Sequence, residues 1–290
     1  MDGKNSVDVI IPVKERYNLL INALKSVEEQ TLKPHNVIII DDCSDEKINN
    51  FPKFSYNIIL IRNKNNMGPS FSCNIGARKS KSDYIAILET DDLWEKTKLE
   101  KQFNLAKQNN LDFVYCNYYT NKNKNTQKFS NDKHEIFELL MKRWSCPNPS
   151  TFLFKRESFL KINGFDENMI GTHDHDLWIR ISQSDLNVGH LKEYLVSIED
   201  YNPNQMSRDY KTRIKSINYF TSKHKKTIIK SKGRSYFRIY KRELLSRALI
   251  PGLKKVISDK DLIGFFRIIS YLMFSKIFYK RLLNFVKKSK

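Results

Sequence analysis

No glycine-rich loop follows the first apolar segment of this sequence. "VDVIIPV" (Val7–Val13) runs into "KERYN", which holds neither GxGxxG nor GxxxxGK, and this argues against a dinucleotide or ATP site of either kind. Cysteine is sparse as well. Cys43, Cys73, Cys116 and Cys146 stand far apart without a CxxC pair, a spacing that fits reduced thiols better than a zinc site or a disulfide framework. No uncharged apolar run reaches about 18 residues, which argues against a membrane-spanning helix. The opening "MDGKNSVDVIIPV" lacks the basic start and long apolar core of a signal peptide. These absences lead to the expectation of a cytoplasmic protein. The last shortage, of acidic residues, is local. Of 51 Lys and Arg and 32 Asp and Glu residues, 24 and 4 fall from Arg208 onward, leaving 27 against 28 before it. A nearly neutral front, residues 1–205 (net −1), thus precedes a basic extension, residues 206–290 (net +20), and the chain's net charge of +19 arises from the extension.

What is present alternates. "VDVIIPV", "NVIII" (Asn36–Ile40), "IILI" (Ile58–Ile61), "YIAIL" (Tyr84–Leu88) and "FVYC" (Phe113–Cys116) read as short buried strands. Between them, Leu19, Leu20, Ala23, Leu24 and Val27 recur at helical spacing, Gly68-Pro69 opens a helix through Ala77, and Glu95–Gln108 reads as another. This rhythm predicts an α/β domain with a mainly parallel, Rossmann-like central sheet. In such sheets ligands bind at the carboxyl ends of the strands, and two strands here end in paired acids, Asp41-Asp42 and Asp91-Asp92. Further on, Asn117–Lys133 reads as a polar loop, Ser150–Phe165 as a strand and short helix closed by Gly164, and "HDHDLWIRI" (His173–Ile181) as a helix opening.

The stretch "LETDDLW" (Leu88–Trp94) puts three carboxylates within four residues, which repel one another unless something positive joins them. One acid suffices to cap a helix, so capping explains Asp41 more readily than it explains Glu89, Asp91 and Asp92 together. Clustered hard oxygens suit Mg²⁺ or Mn²⁺, ions that also bind substrate phosphates. "HDHD" has three readings. It can supply zinc ligands, a helix N-cap, or an acid aimed into the crevice as a base. The zinc reading is weakened because His173 and His175 are two apart and leave a helix in different directions.

These segments resemble the family 2 glycosyltransferases, enzymes with the GT-A fold. The resemblance rests on "VIIPVKERYNLLINALKSVEEQT", "IIIDDCSDE", "NMGPSFSCNIGARKSKSDYIAILETDDLW" and "GFDENMIGTHDHDLWIRI", in that order, over about residues 7–182. It implies a nucleotide-sugar donor, a divalent metal and inversion at the anomeric carbon. It places Pro12 and Val13 in the base pocket, Asp42 at the uracil, Asp91 at the ribose and diphosphate, Asp92 with Asp91 on Mn²⁺ or Mg²⁺, and Asp174 as catalytic base. The chain departs from the family pattern at Glu89, where aspartate is commoner, and at His173, where glutamate is frequent. A two-carboxylate hydrolase fits the acid count but has no need of two acid pairs at neighbouring strand ends. A sugar nucleotidyltransferase would place a glycine-rich loop after the first strand.

The extension reads as helices. From a capping start at Ser258-Asp259-Lys260-Asp261, "LIGFFRIISYLMFSKIFYKRLLNFVKKSK" mixes aromatic and aliphatic residues with Arg267, Lys276, Lys280 and Arg281. That composition suits a helix lying in an anionic membrane surface, and with it a peripheral location at the inner face of the cell membrane and a saccharide or lipid-linked acceptor. Packing of its apolar residues onto the catalytic domain is the plainer alternative. Nucleic acid, which any basic surface attracts, is the less favoured partner.

Overall fold

A computed structural model describes residues 6–120, 132–144, 146–198 and 210–258. The parallel half of the sheet is built from β1 (Val7–Val13), β2 (Asn36–Asp41), β3 (Asn57–Arg62) and β4 (Tyr84–Ile87), in the order β3-β2-β1-β4. Val9, Ile10, Ile11 and Val37–Ile40 are wholly buried, as expected for strands covered on both faces. Two covering helices are α1 (Tyr17–Glu28), which buries Leu20, Ala23, Leu24 and Val27, and α2 (Pro69–Lys79), with Pro69 in its first turn. Gly76 lets α2 approach the sheet: a Cβ there would lie 2.5 Å from Cγ2 of Ile10.

Beyond β4 the sheet becomes mixed. The remaining strands are β5 (Asp92–Trp94), β6 (Phe113–Thr120), β7 (Phe152–Lys155) and β8 (Val188–Ile198). The sheet continues β4-β7-β6-β8-β5, with β6 and β8 parallel and the β4–β7, β7–β6 and β8–β5 pairs antiparallel. Helices α3 (Lys98–Gln108), α4 (Lys133–Arg143), α5 (Arg156–Lys161) and α6 (His173–Ser182) complete this unit. Gly164 closes α5 at φ +54°, where a Cβ would meet Oδ1 of Asn74 at 2.3 Å. Asn74 in turn donates to the carbonyl of Phe165 and accepts from its N–H, fastening the chain as it enters α6.

Three details differ from the sequence reading. Asp92–Trp94 is itself a strand, drawn out by antiparallel pairing with Val196–Ile198, so α3 starts at Lys98 rather than Glu95. Strand β8 was not anticipated, because "VGHLKEYLVSI" is half-buried and its charges blur the alternation. Strand β6 runs on to Thr120, shortening the polar loop read from Asn117; residues 121–131 of that loop lie outside the described residues.

A second compact unit comprises the short segment Met169–Thr172 and the helices α7 (Tyr210–Lys223), α8 (Lys225–Lys232) and α9 (Arg234–Ser258). Ile217, Phe220, Ile228, Leu244 and Ala248 are buried in it. The Ser216 hydroxyl donates to the Ile170 carbonyl, which ties α7 to that segment. The helical expectation for the extension therefore holds over Tyr210–Ser258. The capping start and amphipathic stretch beyond Ser258 lie outside the described residues. No helix among the described residues is long and apolar enough to cross a membrane.

Candidate active site

At the carboxyl end of β2 the two acids divide their work. Asp41 is structural: its carboxylate pairs with Arg62 at 2.5 Å and accepts the Ser44 N–H at 2.9 Å, turning the chain out of the strand. Asp42 is 5% exposed and accepts from the N–H groups of Met67 (2.8 Å) and Gly68 (2.7 Å) and from the Asn63 amide (2.8 Å). It thereby holds the Asn63–Gly68 loop in front of α2. Pro12 and Val13 end β1 beside it, and the Val13 carbonyl accepts the Asp42 N–H at 2.8 Å.

One strand further, past β1, the chain leaving β4 forms the acid cluster. Oxygens of Glu89, Asp91 and Asp92 all lie within 4.8 Å of one another. Each is held from a different direction. Asp91 pairs with Arg16 at 2.8 Å, at the start of α1. Asp92 is 2% exposed and accepts from the Ser150 hydroxyl at 2.6 Å. Glu89 accepts from the Asn148 amide at 3.0 Å, while its own N–H donates to the Ser150 oxygen at 2.9 Å. Ser150 sits in a 3₁₀ turn, Pro149–Thr151, capped by the Asn148 side chain, and the Trp94 indole N–H donates to the Ser150 carbonyl at 2.8 Å. The "DDLW" strand and the Asn148–Ser150 turn are thus one scaffold. Burial and then the Asp91 charge push the Glu89 carboxyl up to about 7, against the opposing pull of Asn148 and Arg16. The three acids are faced by one paired cation, Arg16. That donor set, all hard oxygen, fits Mg²⁺ or Mn²⁺.

Asp174 lies in the first turn of α6, near enough for its charge to act on Glu89. Burial alone would raise its carboxyl. The His175 ring, 2.8 Å away, and the His175 N–H outweigh that and hold it well below the usual carboxylate range. The Cys146 thiol donates to its other oxygen at 3.3 Å. The remaining members of "HDHD" turn inward. His173 packs edge-on to Phe165, and burial lowers its pKa. Asp176, fully buried, pairs with Arg180 at 2.8 Å, whose other nitrogens donate to the carbonyls of Ile162 and Gly164. Asp174 and His175, both partly exposed, are instead paired with each other.

The structure brings Asp91, Asp92 and Asp174 into one locality and places Pro12, Val13 and Asp42 at neighbouring strand ends. With strands about 4.8 Å apart, the β2 and β4 ends stand roughly 10 Å from each other across β1. Reading the sequence alone missed Arg16, Ser150, Asn148 and Cys146. Only the Trp94 that follows the acids was a local signal of this scaffold.

The fold is that of the GT-A glycosyltransferases. Among solved structures, Staphylococcus aureus TarS 1–349 in complex with UDP-GlcNAc superposes with a TM-score of 0.56 at 13% identity, over 91% of this chain and 90% of that one. A mannosyltransferase from Pyrobaculum calidifontis, in complex with GDP-Man and Mn²⁺, gives 0.57 at 15% identity, over 95% of this chain and 82% of its own. At such identities the likeness is one of fold. The family model described as Glycosyl transferase family 2 matches residues 8–182, and the chain belongs to that family. Relatives include uncharacterised glycosyltransferases of Rickettsia bellii (34% identical over 64% of this chain), Haemophilus influenzae (30% over 61%) and Methanocaldococcus jannaschii (29% over 77%). The matched region spans 28%, 62% and 81% of those proteins respectively.

Proposed function

We propose that the chain is a metal-dependent, inverting glycosyltransferase that moves a sugar from a nucleoside diphosphate, UDP in our reading, to a hydroxyl acceptor. The observation that carries this is the convergence of three carboxylates within 4.8 Å, with Asp174 close enough for its charge to act on Glu89. Asp92 and Asp91 would hold Mn²⁺ or Mg²⁺, which when bound neutralises charge building on the departing diphosphate. Pro12 and Val13 would line the base pocket, with Asp42 at the uracil. Asp174 takes the proton of the acceptor hydroxyl as that oxygen attacks the anomeric carbon from the face opposite the diphosphate. The new C–O bond forms as the old one breaks, and its electron pair leaves with the nucleotide, inverting the centre. Held ionised at neutral pH, Asp174 is in the form that accepts a proton.

The basic extension favours an acceptor presented at an anionic membrane surface, as in assembly of cell-surface polysaccharide or glycolipid, with the enzyme peripheral at the inner face. The central test uses melting temperature. UDP should stabilise the protein strongly only when Mn²⁺ or Mg²⁺ is present, and Asp92→Asn should abolish that synergy. Equal stabilisation by UDP with and without a chelator refutes metal-bridged binding.

A further inference from the structure

The acid cluster is one of two groups of metal-ligating side chains among the described residues. The other is Cys146, Asp174 and His175, whose ligand atoms also lie within 4.8 Å of one another. Its chemistry differs, combining a thiol, an imidazole and a single carboxylate where the first group has only hard oxygens. Its spacing is informative. With bonds of about 2.3 Å to sulfur and about 2.0 Å to nitrogen and oxygen, a tetrahedral zinc ion holds its ligand atoms about 3.3–3.6 Å apart. Cys146 Sγ lies 3.6 Å from His175 Nδ1 and 3.3 Å from Asp174 Oδ2, while the third pair, His175 Nδ1 and Asp174 Oδ1, is closed to a 2.8 Å hydrogen bond that an entering ion replaces.

The three side chains are also held in place before any ion arrives. Trp144 stacks on the His175 ring at 4.1 Å, fixing its plane. The Trp178 indole, on the same helix as Asp174 and His175, donates to the Pro147 carbonyl at 3.3 Å and pins the Cys146-Pro147 segment against α6. Cys146 itself is buried, and its two partners are only partly so.

We propose that Cys146, Asp174 and His175 form a second metal site, selective for Zn²⁺ over Mg²⁺ and Mn²⁺, and that zinc bound there inhibits transfer by occupying the base. Thiolate and imidazole are the ligands that favour zinc over the hard cations. On binding, the thiol releases its proton to solvent and enters as thiolate, and the proton that His175 Nδ1 donates to Asp174 leaves that nitrogen for Nε2 or for solvent. Three protein ligands leave a fourth position for water. The inhibitory half of the proposal rests on Asp174 being the base; the binding half does not.

The test takes the full chain with excess Mg²⁺, so that the acid cluster is filled, and adds one equivalent of Co²⁺ as a spectroscopic stand-in for zinc. A thiolate-to-cobalt charge-transfer band is expected in the near ultraviolet. It should disappear in Cys146→Ser, persist in Cys43→Ser, and be displaced stoichiometrically by Zn²⁺. Absorption fine structure at the zinc edge of the wild-type protein provides a reading independent of any variant's folding, and should show one sulfur at about 2.3 Å with nitrogen and oxygen ligands. Absence of sulfur, or a band that survives in Cys146→Ser, overturns the site while leaving the catalytic reading intact. Under saturating Mn²⁺, Zn²⁺ should suppress turnover of the wild type at concentrations at least tenfold below those needed for Cys146→Ser. Zinc bound through sulfur without loss of turnover overturns its inhibitory role.

Discussion

Lys98 is wholly buried at the start of α3, its ammonium 2.7 Å from the Gln102 side-chain oxygen and 3.9 Å above the Trp94 ring. Burial lowers its pKa from 10.5 to about 8, with nearby Cys116 opposing the shift. At pH 7 the group is charged in both the folded and unfolded chain, so the fold bears the full cost of burying the charge. At about 1.4 kcal/mol per pKa unit, that cost is about 3 kcal/mol. Above pH 8 the folded protein binds fewer protons than the unfolded chain, so stability rises with pH and the cost is gone by pH 10.5. Lys98→Met removes the charge but leaves Gln102 without its donor and Trp94 without its cation, each worth about 1 kcal/mol. The variant should therefore be about 1–2 kcal/mol more stable than wild type at pH 7, and level with it or below by pH 10. Urea unfolding followed by tryptophan fluorescence reads this directly, since Trp94, Trp144 and Trp178 all lie in the unit that contains Lys98. Groups shared by the two proteins cancel in the difference. A gap that stays constant from pH 7 to 10 would refute the reasoning and mean that the ammonium is solvated.

Asp174→Asn should leave UDP affinity nearly unchanged and lower transfer by about 10²-fold or more, measured as kcat on any working acceptor; near wild-type transfer would make Asp174 a helix cap. Ser150→Ala strands the Glu89 N–H and removes the donor to buried Asp92, so it should cost about 1–3 kcal/mol in urea unfolding and weaken the dependence of UDP binding on Mn²⁺. Ending the chain after Ser258 keeps α7, α8 and α9 but removes the aromatic and basic stretch beyond. Binding to anionic vesicles, read by sedimentation, should then be lost, while the full chain should keep part of its binding in high salt because apolar burial survives screening. Complete salt loss without preference for vesicles would favour a nucleic-acid partner instead.

The strands of the parallel half were legible because each is a short run rich in isoleucine and valine, interrupted in β1 only by Asp8 and Pro12. The helices between them carry their apolar residues at intervals of three and four, and Pro69 marks a start. Strand β8 was hidden because it is buried only near its two ends, at Val188-Gly189 and Leu195-Val196, while Lys192 and Glu193 sit in its less covered middle. Strand β5 was hidden for a different cause: its three residues extend only because β8 pairs with them, about a hundred positions away.

The same distinction governs the site. That Glu89, Asp91 and Asp92 crowd together is local and could be read directly; how the fold tolerates them could not. Arg16 lies 75 positions from Asp91, Ser150 lies 58 from Asp92, and Asn148 lies 59 from Glu89. Each reaches the cluster only once β1, β4 and β7 are in register. Arg16 offsets one negative charge, and two neutral donors steady the other two carboxylates without neutralising them. The cluster therefore stays net negative in the folded chain, with Asp92 fixed in direction by a hydroxyl that cannot compete with a divalent ion for charge. That is the electrostatic condition for a site that binds a cation together with a diphosphate, since the pair brings both the positive charge the acids lack and the negative charge that Arg16 and the cation can then share.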